Sequence, residues 1–193
     1  MRAFALFLTL LCMYAAVEGR RRFGNCPKVK KTDFKFKEAK GTWYAYAVNP
    51  SRWVEKCQQY FIYQDDNNDF RVEETFVNDY KLFSTTTKNS YYLEYDLASP
   101  KFSLKKTYVK YISLSDTWTV IDSDPEFSSF MILYKCGPTL PWYQKEEITV
   151  WVKKPELVDG KPVPEDIVKA ITDAGFSLNE LQIKKETDCK NSK

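Results

Sequence analysis

Between Thr42 and Lys153 the sequence consists of short stretches rich in aromatic and β-branched residues, broken by polar turns and free of helical periodicity. That pattern constrains the fold more than any other feature. Strands are expected near 42–48, 57–64, 69–77, 80–87 with a continuation at 90–97, 101–112, 116–122, 128–135 and 146–153. Asp65-Asp66-Asn67-Asn68 is the tightest hairpin signal, with Asn78-Asp79, Ser99-Pro100 and Cys136-Gly137-Pro138 behind it. About eight strands joined by short turns suit an all-β, up-and-down antiparallel β-barrel, which removes exposed sheet edges by closing on itself. An immunoglobulin-like sandwich needs a closely spaced cysteine pair around a tryptophan, and the cysteines here are too dispersed.

The ends of the chain read differently. Met1-Arg2 is a positive start, Ala3 to Ala16 is an apolar run, and Val17-Glu18-Gly19 precedes a cleavage point. At about 14 apolar residues this is too short for a membrane span of about 20 and reads as a secretory signal peptide. Residues 1–19 are therefore expected to be removed, leaving 20–193 as a single exported, extracellular domain. Near the C-terminus, Pro164 to Gly175 carries proline and acidic residues at the start and glycine at the end. Ile167, Val168, Ala170, Ile171 and Ala174 make one apolar stripe, so a single helix should pack on the outside of the barrel. A last short strand is expected near 181–183.

Of five cysteines, Cys12 falls in the signal. Cys26, Cys57, Cys136 and Cys189 remain, an even number that in an exported chain argues for two disulfides; sequence alone allows three connectivities. The net charge of +3 is too balanced to imply nucleic acid or an anionic membrane as partner. Arg20-Arg21-Arg22 reads as a short solvated tail, and no Asn-X-Ser/Thr sequon occurs.

The catalytic inventory is thin. There is no histidine, which removes the commonest general base, the usual triads and the commonest zinc ligand. Asp65, Asp66 and Asp69 read as a solvated hairpin tip, without the glutamate and glycine spacing of a calcium loop. No metal site, catalytic residue or resident cofactor is expected.

Gly41-Thr42-Trp43-Tyr44 follows Cys26-Pro27; Asp122-Ser123-Asp124 precedes an apolar strand ending Tyr134-Lys135-Cys136; and Trp151-Val152-Lys153-Lys154-Pro155 comes before the helix. Three blocks in this order resemble the lipocalin family, most nearly its retinol-binding, apolipoprotein D-like and insect or crustacean pigment-binding members. The resemblance implies disulfides Cys26–Cys136 and Cys57–Cys189. It implies that Gly41 and Trp43 close one end of the barrel, with Lys153 in place of the family's usual arginine over the indole. An acidic residue of the second block, Asp124 or Glu126, would accept backbone hydrogen bonds there. Carrying the pattern over points Tyr60, Ile62, Trp118, Val120, Met131 and Leu133 into the barrel as ligand-binding residues.

The implied function is carriage or storage of a small hydrophobic molecule such as a retinoid, carotenoid, bilin or fatty acid. A surface-acting lipocalin, an assembling pigment-protein subunit or a scavenger at a host interface, is the alternative. An isomerase using a cavity thiol is a third class, which needs a free cysteine. Ligand identity and oligomeric state stay open at this level.

Overall fold

A computed structural model describes residues 20–184, apart from 24, 27, 30–31, 33–34, 36, 50–54, 81–82, 96–100, 110–111, 141–142 and 155–162. The expected signal peptide and Cys189 lie outside the described residues. Ten strands follow in order: β1 (Arg20–Phe23), β2 (Gly41–Val48), β3 (Glu55–Gln64), β4 (Phe70–Tyr80), β5 (Phe83–Tyr95), β6 (Lys101–Val109), β7 (Ile112–Ser123), β8 (Phe130–Leu140), β9 (Tyr143–Val152) and β10 (Gln182–Ile183). Each of β2 to β8 pairs antiparallel with the next, and β9 pairs back onto β2 through Tyr44–Val152 and Val48–Thr149. The eight-stranded up-and-down barrel expected from the strand pattern is closed by that last pairing.

The differences from the sequence reading concern strand ends. Asn78-Asp79 is not a turn: β4 continues to Tyr80, which pairs with Phe83 across a two-residue connection. Asn78 is accommodated because its amide Nδ2 donates to Thr87 Oγ1 on the neighbouring strand at 3.0 Å. Cys136-Gly137-Pro138 likewise lies inside β8, whose pairing with β9 runs on to Leu140 with an irregularity between Pro138 and Leu140. Arg20-Arg21-Arg22, expected as a tail, belongs to a strand. Residues 143–146 of β9 extend past the part paired with β2, and β1 fills that open edge, Arg20 opposite Glu146 and Phe23 opposite Tyr143.

The barrel divides the apolar side chains into two cores. Inward-facing residues, among them Trp43, Ile62, Val72, Phe102, Val120 and Met131, fill the interior. Outward-facing Ile132, Tyr134, Ile148 and Val150 pack with Ile167, Ala170 and Ile171 of helix α1 (Glu165–Asp173). Glu165 and Asp166 occupy the first turn of α1, where the helix dipole favours negative charge. Gly175, at φ +80°, ends it and lets Phe176 N–H reach back to the Ile171 carbonyl at 3.1 Å. The helix is thus where the sequence put it, on the outside of the barrel. Cys26 and Cys136 form a disulfide with Cα atoms 5.9 Å apart, tying the N-terminal arm to β8. Cys57 is also disulfide-bonded.

Candidate functional site

Interior side chains alternate along every strand, so the composition of each inward row decides what the barrel can hold. One end is sealed. The Trp43 indole is fully buried, and its Nε1 donates to the Ala39 carbonyl at 2.7 Å. Lys153 lies over the ring with Nζ 4.6 Å from its centroid, and the same ammonium donates to the Lys40 carbonyl. Burial lowers the Lys153 pKa from its ordinary value, and the neighbouring Asp124 charge partly offsets that. Gly41 is required at the entry to β2: its φ is +107°, and a Cβ there would sit 3.2 Å from Lys153 Nζ.

Of the two acidic candidates in the second block, Asp124 does the sealing. Its Oδ1 accepts the N–H groups of Ser129 and Phe130, each at 3.0 Å, and its Oδ2 accepts Ser128 N–H and Oγ–H, each at 2.7 Å. Burial raises its pKa, but these hydrogen bonds outweigh that and hold it at about 2. Glu126 is exposed. The loop so organised turns through Phe127, which adopts φ +51° and drives its ring into the interior core at 2 % exposure. Phe127 is a plug that sequence reasoning did not find. At the other acidic group, Asp65 is a hairpin clasp. Its pKa is lowered chiefly by the Arg71 Nε hydrogen bond at 2.8 Å, and it also accepts from Asn67 and Asp69 N–H.

Toward the opposite end the interior opens into a cavity of about 270 Å³. Of the six residues expected to point inward, Tyr60 and Trp118 are on its wall. Ile62, Val120, Met131 and Leu133 lie in the apolar core with Trp43, all 2 % exposed or less. Phe76, Tyr91, Leu104 and Trp151 complete the apolar and aromatic wall, and Trp151 stacks on Tyr60 with centroids 3.9 Å apart and planes 17° apart.

The wall is not uniformly apolar. Glu74 is 8 % exposed and faces the cavity from the inward row Phe70, Val72, Glu74, Phe76. It accepts hydrogen bonds from Gln58 Nε2 at 2.9 Å, Asn89 Nδ2 at 2.9 Å and Tyr91 Oη at 2.7 Å. Lys106 Nζ donates to Asn89 Oδ1 at 2.5 Å. Lys135 bridges Asp116 at 2.6 Å and Glu147 at 3.7 Å. The sequence carried the signal for Glu74: the alternation that makes Phe70, Val72 and Phe76 inward-facing leaves its carboxylate inward as well. Among the described residues no group of three or more His, Cys, Asp or Glu side chains is placed to hold a metal ion. Nor is any helix there long and apolar enough to cross a membrane.

No family model matches this sequence, and no curated protein matches it. Solved structures do. Insecticyanin from the tobacco hornworm Manduca sexta superposes with a TM-score of 0.75 at 17 % identity, over 90 % of this chain and 94 % of that one. The amine-binding protein of Rhodnius prolixus, in its tryptamine complex, gives 0.59 at 17 % identity, over 87 % and 89 %. Lobster apocrustacyanin A1 gives 0.55 at 14 % identity, over 83 % and 93 %. At these identities the likeness is one of fold, over 83–90 % of this chain.

Proposed function

We propose that this chain, which has the lipocalin fold, is an exported carrier or store of a small, largely hydrophobic molecule held inside its barrel. The observation that carries the reading is the asymmetry of the interior. One end is sealed by Trp43, Phe127 and Lys153, and the other is hollow and walled by Tyr60, Phe76, Trp118 and Trp151. A self-filled barrel would have apolar side chains throughout. Burial of ligand surface at about 25 cal/mol per Å² supplies the affinity, and the few polar wall groups fix orientation. Retinoids, carotenoids, bilins and fatty acids are the ligand classes of this kind of carrier. Among the matched structures one is an amine-binding protein, which extends the range to amines.

The reading is not catalytic. Cys26, Cys57 and Cys136 are all disulfide-bonded, so none of them offers the thiol that a cavity isomerase needs. A second reading, action through the outer surface, has one observation in its favour. Phe61, Tyr92 and Tyr95 are 45 %, 44 % and 37 % exposed on the outer face of β3 to β5, with the Arg71 guanidinium over Tyr92 at 3.4 Å.

The test is a native mass spectrum and an absorption spectrum of protein purified from its natural source without added ligand. A stoichiometric mass excess of roughly one small molecule, with or without a visible band, is the expected result. A clean apo mass, followed by failure to take up retinol, palmitate and compact one-ring probes alike, would overturn the carrier reading.

A further inference from the structure

We infer that Glu74 makes this cavity selective for a compact ligand carrying a protonated amine on an aromatic or apolar body. The inference rests on the carrier reading and names the chemistry of what is carried. Glu74 occupies an inward position where Phe70, Val72 and Phe76 on the same row are apolar, and it is 8 % exposed. Burying a carboxylate there costs free energy unless something recovers it. Its three protein partners, Gln58, Asn89 and Tyr91, are all neutral donors. They satisfy the ionised form but bring no positive charge. Oε2 accepts two of these bonds and Oε1 accepts one, from Gln58, so Oε1 retains acceptor capacity.

The other charged residues around the cavity are Lys106, Lys135, Lys184, Asp116 and Glu147, and all of them are already engaged. Lys135 lies between Asp116 and Glu147, and Glu147 also pairs with Lys145 at 2.7 Å. Lys106 donates to Asn89, whose amide in turn donates to Glu74, so its charge acts on the carboxylate through an intervening side chain. Asp116 is 56 % exposed and faces solvent. The buried charge without a direct cationic partner among the described residues is therefore negative.

Its surroundings favour a cation twice over. Tyr60 is directly cross-strand from Glu74 and stacks on Trp151, and Tyr91 donates to the carboxylate itself. Aromatic faces attract ammonium groups, more strongly when water is excluded. An anionic head, such as a fatty-acid carboxylate, is repelled from the same place. The volume of about 270 Å³ is just under the usual ligand-pocket range of roughly 300–1,000 Å³. That suits a molecule with one ring or a short chain better than an extended polyene.

The experiment uses the mature, disulfide-intact chain and isothermal titration calorimetry with three probes of similar shape. They are 2-phenylethylamine, uncharged propylbenzene and anionic 3-phenylpropanoate. Retinol serves as a neutral carrier probe, and Glu74→Gln and Glu94→Gln are compared with the unaltered protein. The amine should bind at least about tenfold tighter than propylbenzene, the scale of one charge-assisted hydrogen bond, and the anion more weakly than both. Glu74→Gln should remove the amine's advantage, and Glu94→Gln on the outer face should keep it. Equal binding of amine and hydrocarbon to the unaltered protein would overturn the inference whether or not the Gln variant folds. So would an amine advantage that survives Glu74→Gln. Binding of propylbenzene or retinol in either case would leave the carrier reading standing. Failure of every probe, retinol included, would overturn both.

Discussion

Replacing Asp124 by Asn should destabilise the protein by about 2 kcal/mol near neutral pH, an effect that shrinks in acid. Asp124 receives four hydrogen bonds, two on each oxygen, three of them from backbone N–H groups. Asparagine keeps one acceptor oxygen and turns an NH2 group toward the other donors. With the amide oxygen on Ser129 and Phe130, the charge-assisted Ser128 N–H bond, worth about 1.5–3 kcal/mol, is lost. The Ser128 hydroxyl turns to accept from the NH2, and the surviving bonds become neutral ones of about 0.5–1.5 kcal/mol. The proton equilibrium gives an independent check. A pKa of about 2 against an ordinary 3.8 would correspond to a ceiling near 2.5 kcal/mol at about 1.4 kcal/mol per unit. Because the group is partly exposed, solvent screening brings that toward 1–2 kcal/mol, by order of magnitude.

The sign follows from linkage. The folded-state pKa is depressed, so the stabilisation is complete above about pH 4 and is lost as pH falls toward about 2. Urea unfolding followed by tryptophan fluorescence, near pH 7 and near pH 3, measures the gap between wild type and variant. The gap should narrow at the lower pH as wild-type Asp124 begins to protonate. A gap below about 0.5 kcal/mol near pH 7, or one that is unchanged or wider in acid, would refute the assignment of Asp124 as the organiser of the Phe127 plug.

Two further variants, one single and one double, bear on the scaffold. Gly41→Ala forces a side chain onto a φ of +107° and sets its Cβ 3.2 Å from Lys153 Nζ. It should cost about 1–3 kcal/mol in urea unfolding, and a change under about 0.5 kcal/mol would count against the required-glycine argument. The paired change Cys26→Ser and Cys136→Ser opens a link across 110 residues of sequence. It should lower stability by about 2–5 kcal/mol, read as a drop in thermal midpoint, and an unchanged midpoint would show that the arm is held by other contacts.

Most of the barrel was legible because alternation is a local property: β2 to β9 follow the aromatic and β-branched runs, and α1 follows its apolar stripe. Strand ends were less so. Asn78-Asp79 and Cys136-Gly137-Pro138 carry turn chemistry, yet Asn78 bonds Thr87 across the sheet and β8 keeps its pairing through Pro138. Local propensity was overridden by a neighbouring strand, which no single segment encodes. β1 is the same case, since its pairing depends on β9 outrunning β2.

Of the closed end, Gly41, Trp43 and Lys153 were identifiable from sequence. The choice of Asp124 over Glu126, and the plug Phe127, needed the loop's geometry. The cavity wall was only partly legible. Tyr60 and Trp118 face it, whereas Ile62, Val120, Met131 and Leu133 are in the packed interior. How deep the packing reaches depends on side-chain volumes summed over all eight strands, which spacing does not give. Glu74 was passed over because its residue type suggests a solvated position, although its place in the alternation is inward.

The most direct measurement is a ¹⁵N–¹H correlation spectrum of the mature protein titrated with retinol and, separately, with 2-phenylethylamine. A barrel carrier predicts saturable shifts centred on Tyr60, Glu74, Tyr91, Trp118 and Trp151, including the indole N–H signals of the two tryptophans. Saturable shifts centred instead on Phe61, Arg71, Tyr92 and Tyr95 would place binding on the outer face and contradict the account.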